Sequence, residues 1–324
     1  MQPRGPRWLY WRFWVQLAAT VVANNGLVTA TRGLCWPGLN CWACPTAAFG
    51  CPMGALQNAA GAWRWRLAAG GILGSLPALP WYVIGGLLVA GGLFGRMVCG
   101  WICPFGWFQE LVGRLHARKL TLPRWLGYPR YAVLVVVALV VAFYTGQPWF
   151  CKLCPQGFLE GGIPQPLLRP ELRAGIGWLW YTKLAVFVLV VLGSLFVRRP
   201  FCALACPLGA VYSLMHRYSL WRTVLIRDKC TDCGWCVRAC PQGIDPREDL
   251  DGHLCIGCLE CQKCPFGAIV SVPAWRVGEF VAPRPLRDGA DGGSDGGDAG
   301  SDGGDAGSTR DWSQDAGPGH NSSG

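Results

Sequence analysis

The feature that most constrains this chain is a cysteine pattern that returns in register 103 residues later. Cys51-Pro52-Met53-Gly54 returns as Cys154-Pro155-Gln156-Gly157. The run Arg96-x2-Cys99-x3-Cys103-Pro104-x-Gly106 returns as Arg199-x2-Cys202-x3-Cys206-Pro207-x-Gly209. Between the two blocks of each copy lies an apolar stretch long enough to cross a bilayer. A repeat of this period is an architectural unit rather than a solenoid tooth. It describes two equivalent halves that each bring cysteines to the same two depths, which is what a shared four-thiolate cofactor needs.

Composition places those halves. The chain of 324 residues is 52% hydrophobic and only 15% charged, with 18 tryptophans, which is a membrane-protein composition. Its 18 cysteines do not read as a secreted disulfide scaffold, because such scaffolds are short and polar. Most fall into C-x2-C or C-x3-C spacings, and six are followed by Pro-x-Gly, which suits a metal or cluster better than long disulfide loops. A local bridge at Cys35 or Cys41 is the form a disulfide would take.

Four candidate spans stand out at 9–31, 67–94, 131–149 and 178–197, each near the ~20 residues a crossing needs. The first follows Arg4 and Arg7 and lacks a small-residue cleavage site, so it reads as an uncleaved signal anchor. Pro77 and Pro80 predict a broken first part for the second span and a regular helix from about Trp81. Lys plus Arg number three in 32–66, six in 95–130, three in 150–177 and six in 198–229. Positive loops stay in the cytoplasm, so both termini are expected there, in a multi-pass protein of the bacterial cytoplasmic membrane. The net charge of +10 therefore reflects orientation in a lipid bilayer, and nucleic acid is not an expected partner.

The expected fold is membrane α-helical. Four transmembrane helices form two parallel two-helix repeats, related by an axis along the membrane normal, at 1–110 and 111–227. A small α+β two-cluster ferredoxin-like domain follows at 228–275. Residues 284–324 are Asp/Gly/Ser-rich, with SDGGDAG at 294–300 repeated at 301–307, and read as a disordered acidic tail.

Cys230-x2-Cys233-x2-Cys236-x3-Cys240-Pro241 is the ligand run of a bacterial-type ferredoxin. Three close cysteines wrap one face of an iron–sulfur cube, and the fourth, before proline, ligates the neighbouring cluster. The second run, Cys255-x2-Cys258-x2-Cys261-x2-Cys264-Pro265, is one residue short in its last spacing. With crossing, one [4Fe-4S] cluster takes Cys230, Cys233, Cys236 and Cys264, and the other takes Cys255, Cys258, Cys261 and Cys240. A structural zinc pair is the competing use of such spacings.

On the cytoplasmic side, Cys99, Cys103, Cys202 and Cys206 leave the second and fourth spans and close one four-thiolate site. Arg96 and Arg199 precede these pairs. Fixed positive charge there offsets thiolate charge and raises a cluster's potential, although ordinary positive-inside flanking explains arginines equally well. On the outer side, the set Cys41, Cys44, Cys51, Cys151 and Cys154 supplies four ligands with one to spare, and Cys35 stands beside it. His116 and His216 read as solvated surface groups on basic segments, and Asn24 and Asn25 as hydrogen-bonding groups between helices. The small-residue run from Gly85-Gly86 to Gly91-Gly92 reads as close helix packing or as room for a quinone ring.

With CGWICPFG at 99–106 and CALACPLG at 202–209 on a four-span core, followed by a two-cluster ferredoxin module, the chain resembles the NapH/NosR-type membrane polyferredoxins over about residues 35–270. The resemblance implies an iron–sulfur electron-transfer subunit, similar to a quinol dehydrogenase membrane subunit. It implies a quinol or ferredoxin-like donor, and a periplasmic or membrane redox partner as acceptor. A redox assembly factor for a metalloenzyme is the alternative function. The chain shows no segment for the periplasmic flavin-binding domain or the immunoglobulin-like C-terminal domain of relatives.

Overall fold

Prolines and Cys-Pro turns decide where the helices of this chain begin. Proline lacks an N–H and presets a helical φ, so it suits the first position of a helix and breaks an interior. A computed structural model of the chain describes residues 6–25, 30–41, 44, 47–75, 80–116, 120 and 123–280. The acidic tail lies outside the described residues. Helix α1 spans Arg12–Ala23 after a tight turn at Arg7–Trp11. Helix α2 spans Pro52–Ser75, starting on the proline of Cys51-Pro52. Helix α3 spans Trp81–Phe94 after Pro80 and stops at Gly95, whose φ of 56° lies in the region that favours glycine. Two short helices follow, α4 at Met97–Trp101 and α5 at Pro104–Gly113, with Cys103 extended between them.

The second half has matching parts. Helix α6 runs over Arg124–Thr145, its middle turns widened to π geometry at Val133–Val140, and left-handed Gly146 ends it. Helix α7 spans Trp149–Leu153, and broken turns cover 155–175. Helix α8 spans Trp178–Phe196, α9 Pro200–Leu204 and α10 Pro207–His216. The pairs α4/α9 and α5/α10 both start 103 residues apart, at 97 and 200 and at 104 and 207. Packing crosses between halves: α5 lies on α1 and α8, and α10 lies on α3 and α6.

Two described helices, α6 and α8, are long and apolar enough to cross a membrane. Both expose apolar side chains, among them Val135, Val136 and Leu189, the reverse of a soluble core helix. The other two expected spans take a different form. In the stretch 9–31 the α-helix covers only the 12 residues of α1, and residues 26–29 lie outside the described set. The stretch 67–94 is divided between the end of α2 and the 14 residues of α3. The reason is local. Residues 52–66 hold four Ala together with Met, Leu, Gln and two Arg, good helix formers that extend α2 upstream, while Pro80 forces a new start.

The cysteine-rich domain is closed by an antiparallel pair, β1 at Trp221–Leu225 and β2 at Ile269–Pro273, with Trp221 opposite Pro273 and Leu225 opposite Ile269. Its ordered structure therefore begins before residue 228. Between the strands lie helix α11, Trp235–Ala239, and a tight turn at Glu260–Lys263. Two glycines dock this domain on the helices. A Cβ at Gly100 would stand 2.8 Å from Ile256 O and 2.9 Å from Cys258 Cα, and one at Gly257 would stand 2.7 Å from Met97 Cγ. Only glycine permits such backbone approach.

Candidate metal centres

The eight cysteines of the last domain separate into two groups around two small cavities. One is lined by Cys230, Cys233, Cys236 and Cys264, the other by Cys240, Cys255, Cys258 and Cys261. The fourth cysteine of each run thus reaches across to the other group. The short spacing before Cys264 does not prevent this, because the turn at Glu260–Lys263 delivers Cys264 in extended backbone. Burial pushes the Cys255 thiol up to about 12 and the Cys236 thiol up to about 11. Such thiols stay protonated at neutral pH unless a metal centre draws off the proton.

The second grouping draws on both halves. Cys99, Cys103, Cys202 and Cys206 are all buried, and every pair among the four interacts electrostatically. Each Cys-Pro turn places its cysteine immediately before the helix it caps, and Gly209 N–H donates to Cys206 Sγ at 3.3 Å. The amide of Gln109 donates to Cys202 Sγ at 3.1 Å, and its Oε1 accepts from Phe201 N at 3.1 Å.

The outer cysteines repeat this arrangement. Cys51, Cys151 and Cys154 interact pairwise. Gln57 donates to Cys151 Sγ at 3.3 Å and accepts from Phe150 N at 3.0 Å, the same two bonds that Gln109 makes. Cys35, whose backbone forms a β-bridge with Gly50, lies near Cys51. Cys41 and Cys44 also stand by Glu160: Cys41 N–H donates to Glu160 Oε2 at 2.6 Å, Cys44 Sγ donates to Glu160 O at 3.1 Å, and a Cβ at Gly157 would stand 3.6 Å from Cys41 Sγ. Asn24, at the end of α1, hydrogen-bonds the Glu160 carboxylate as well.

These groups are neighbours. The loop after Cys35 lies on the inner set, with Trp36 Nε1 donating to Ile102 O at 3.1 Å and a Cβ at Gly38 falling 3.1 Å from Cys103 Cα. Tyr212, fully buried, donates to Pro37 O at 2.7 Å in that loop and lies near both Cys51 and the inner cysteines. Gly100, next to Cys99, touches the backbone of Cys258.

Among the described residues, no three His, Cys, Asp or Glu side chains converge on one bare-ion position. A single tetrahedral zinc would gather its sulfurs at ~2.3 Å from one point. A four-iron cube binds each thiolate to a different iron, so its ligands stand farther apart, around a cavity. The two cysteine-lined cavities of the last domain suit the cube.

Comparison with known proteins agrees. A 4Fe-4S binding domain family matches residues 78–123, 128–166 and 179–229, and a second 4Fe-4S binding domain family matches 223–244. An uncharacterised protein of Methanocaldococcus jannaschii is 32% identical over 183 residues, covering 53% of this chain and 69% of that protein. Regulatory protein NosR of Stutzerimonas stutzeri is 31% identical over 53% of this chain and 25% of its own length. Methylamine utilization ferredoxin-type protein MauN of Paracoccus denitrificans is 30% identical, covering 55% of this chain and 56% of its own. The chain belongs to the NapH/NosR-type polyferredoxins. Iron–sulfur electron transfer is the function that membership carries. No solved structure matches the chain.

Within this polyferredoxin, tertiary structure adds residues that spacing did not single out. Gln57 and Gln109 each stand six residues after a Cys of Cys-Pro-x-Gly, and that shared offset is the sequence signal for them. The glycine of the same motif has a purpose too. A Cβ at Gly106 would meet Arg199 Nη1 at 2.9 Å, and one at Gly209 would meet Arg96 Nη2 at 3.3 Å. Each half thus leaves room for the guanidinium of the other, and Arg199 Nη1 donates to Cys99 O at 2.9 Å.

His216 corrects a sequence expectation. It is 7% exposed, not solvated, because α10 buries its last turn under the cysteine-rich domain. Its Nε2 lies 3.1 Å from Leu250 O. Burial, then the neighbouring Arg96 charge, pushes it down to about 4, so it is neutral. His116 is exposed and packs edge-on to Phe196. Of the small-residue run, Gly91 is the close contact, where a Cβ would meet Met215 Sδ at 2.2 Å; Gly85, Gly86 and Gly92 have nothing within 4 Å.

Proposed function

We propose that this protein is a membrane-bound conduit that moves single electrons between a donor on the cytoplasmic side and an acceptor at the outer face. The observation that carries this reading is the continuity of the four thiol groups. Electron tunnelling falls steeply with distance, and here Gly100, next to Cys99, packs on the backbone of Cys258, while a Cβ at Gly38, in the loop after Cys35, would fall 3.1 Å from Cys103 Cα. [4Fe-4S] clusters held by these thiols supply the one-electron chemistry.

In this reading Cys230, Cys233, Cys236 and Cys264 hold the entry centre. Cys240, Cys255, Cys258 and Cys261 hold the next, and Cys99, Cys103, Cys202 and Cys206 hold the inner membrane centre. Cys51, Cys151 and Cys154 hold the outer one, with Cys35, Cys41 or Cys44 as fourth ligand. Four crossings, with α1, α3, α6 and α8 as two parallel pairs and both termini cytoplasmic, agree with the loop charges.

A quinol is the donor the family resemblance favours. A cavity of about 580 Å³ lies between α1, α5 and the cysteine-rich domain, bordered by Arg12, Gln109, Glu110, Arg198 and Pro241. That volume suits a small ring ligand, and the cavity borders both Gln109, which bonds Cys202, and Pro241, which follows Cys240. Iron and sulfide analysis with EPR on anaerobically purified protein tests the centres; a colourless, zinc-containing protein would end the reading. For protein in nanodiscs we expect a quinol analogue to reduce the clusters and a quinone-site inhibitor to slow this. Reduction by a ferredoxin-like donor alone would remove quinol and leave the conduit.

A further inference from the structure

The two halves differ in one charge at their most buried point. Arg96, Arg130 and Arg199 are each at most 1% exposed. On one side, Glu110 Oε1 accepts from Arg199 Nη2 at 2.6 Å and from Arg12 Nη2 at 2.5 Å, so one carboxylate serves two guanidiniums; Arg12 also pairs with Glu260 at 3.2 Å. The position 103 residues after Glu110 is Ser213. There Ser213 Oγ meets Tyr131 OH at 2.7 Å, and Tyr131 OH meets Arg130 Nη2 at 3.3 Å.

Arg96 therefore lacks the carboxylate that Arg199, its counterpart in the repeat, shares with Arg12, and Arg130 beside it has none either. Both donate to a single backbone oxygen, His253 O. Arg96 Nε and Nη2 and Arg130 Nε and Nη1 are buried with no hydrogen-bond partner among the described residues, and neither arginine has an ion pair there. An unpaired buried charge is strongly destabilising unless something compensates it. Arg96 Nη2 lies by the Cys206 turn, where a Cβ at Gly209 would stand 3.3 Å from it and 3.6 Å from Cys206 Cβ, and Cys202, Cys255 and Cys206 lie within range of these two charges.

Resting on the assignment of clusters to the inner set and to the Cys255 set, we propose that Arg96 and Arg130 form a dicationic seat between these two centres, for which the thiolate-ligated clusters are the counter-ion. Ser213 is the residue that keeps the seat uncompensated. Arg130 is then a positioning residue for charge rather than a ligand. Its effect is to hold an electron more tightly on the adjoining clusters, because reduction adds negative charge beside two fixed cations in a low-dielectric surround.

The test is an EPR-monitored redox titration of the full chain in nanodiscs, with iron content measured on each sample. Ser213→Glu, which supplies the carboxylate of the other half, should shift the inner midpoint to lower potential with all thiols and arginines intact. Arg130→Gln should shift it the same way, and Arg130→Lys should restore most of it. Glu110→Ser should shift it upward. After chelation, Ser213→Glu should melt at a higher temperature than the metal-free natural chain. If Arg130→Gln does not load iron, Ser213→Glu decides alone. Midpoints that stay in place in both Ser213→Glu and Arg130→Gln, at natural iron content, would overturn the seat and leave the conduit standing. Absence of an inner cluster signal from the natural chain would overturn the conduit and the seat together.

Discussion

Gln109 and Cys202, 93 residues apart, are joined by an amide-to-sulfur hydrogen bond of 3.1 Å in the buried core. Gln57 and Cys151 repeat it at 3.3 Å across a separation of 94. Hydrogen bonds to cluster sulfurs raise reduction potential. Gln109→Leu should therefore lower the midpoint of the inner signal alone, and Gln57→Leu that of the outer signal alone. Each also strands a buried N–H, of Phe201 or Phe150, at a loss of ~1–3 kcal/mol in stability. Redox titration and thermal unfolding read the two effects separately.

The shared inner centre makes a sharper claim. Ser substitution at Cys99 or at Cys202 should abolish one and the same EPR signal and spare the ferredoxin-type signals. The double variant should be no worse than either single, since ligands of one centre act together. Two different lost signals would mean that each half builds its own site.

Docking of the cysteine-rich domain rests on Gly100. Gly100→Ala forces a methyl group against Ile256 O and Cys258 Cα, both of them backbone. Overpacking of this kind destabilises by ~1–3 kcal/mol. Stopped-flow reduction should show slower electron passage from the ferredoxin-type signals to the inner signal, with both sets of clusters present.

His216 gives the fold an acid limit. Its value in the folded chain, about 4, lies below the ordinary 6.5, so the unfolded chain binds a proton that the folded chain excludes. Stability is then fully present above about 6.5 and falls as pH drops toward 4. The loss reaches on the order of 3 kcal/mol, at 1.36 kcal/mol per pKa unit. His216→Gln should flatten that part of a denaturation profile measured between pH 7 and pH 4.

Orientation is checked with two reporters. One fused after Gly324 should be active only as a cytoplasmic reporter. One inserted at Gly175, in an exposed turn between α7 and α8, should report the opposite side. The same side for both would remove the division into inner and outer cysteines.

By itself the sequence determined what covalent spacing controls. Cysteines two or three residues apart must share a turn, so the ferredoxin runs and the paired C-x3-C motifs were legible at once. The uninterrupted apolar runs of α6 and α8 were legible because a charge inside either would have shown. Burial and partnership between residues a hundred positions apart have no such local signature. Only the tertiary structure decided that Cys35 lies beside Cys51. Only it placed His216 under the cysteine-rich domain, set Arg130 beside Arg96, and left Ser213 where Glu110 compensates the other side. In each case the outcome depends on which surface a helix meets when the two halves pack across one another, and that is a property of the assembled core.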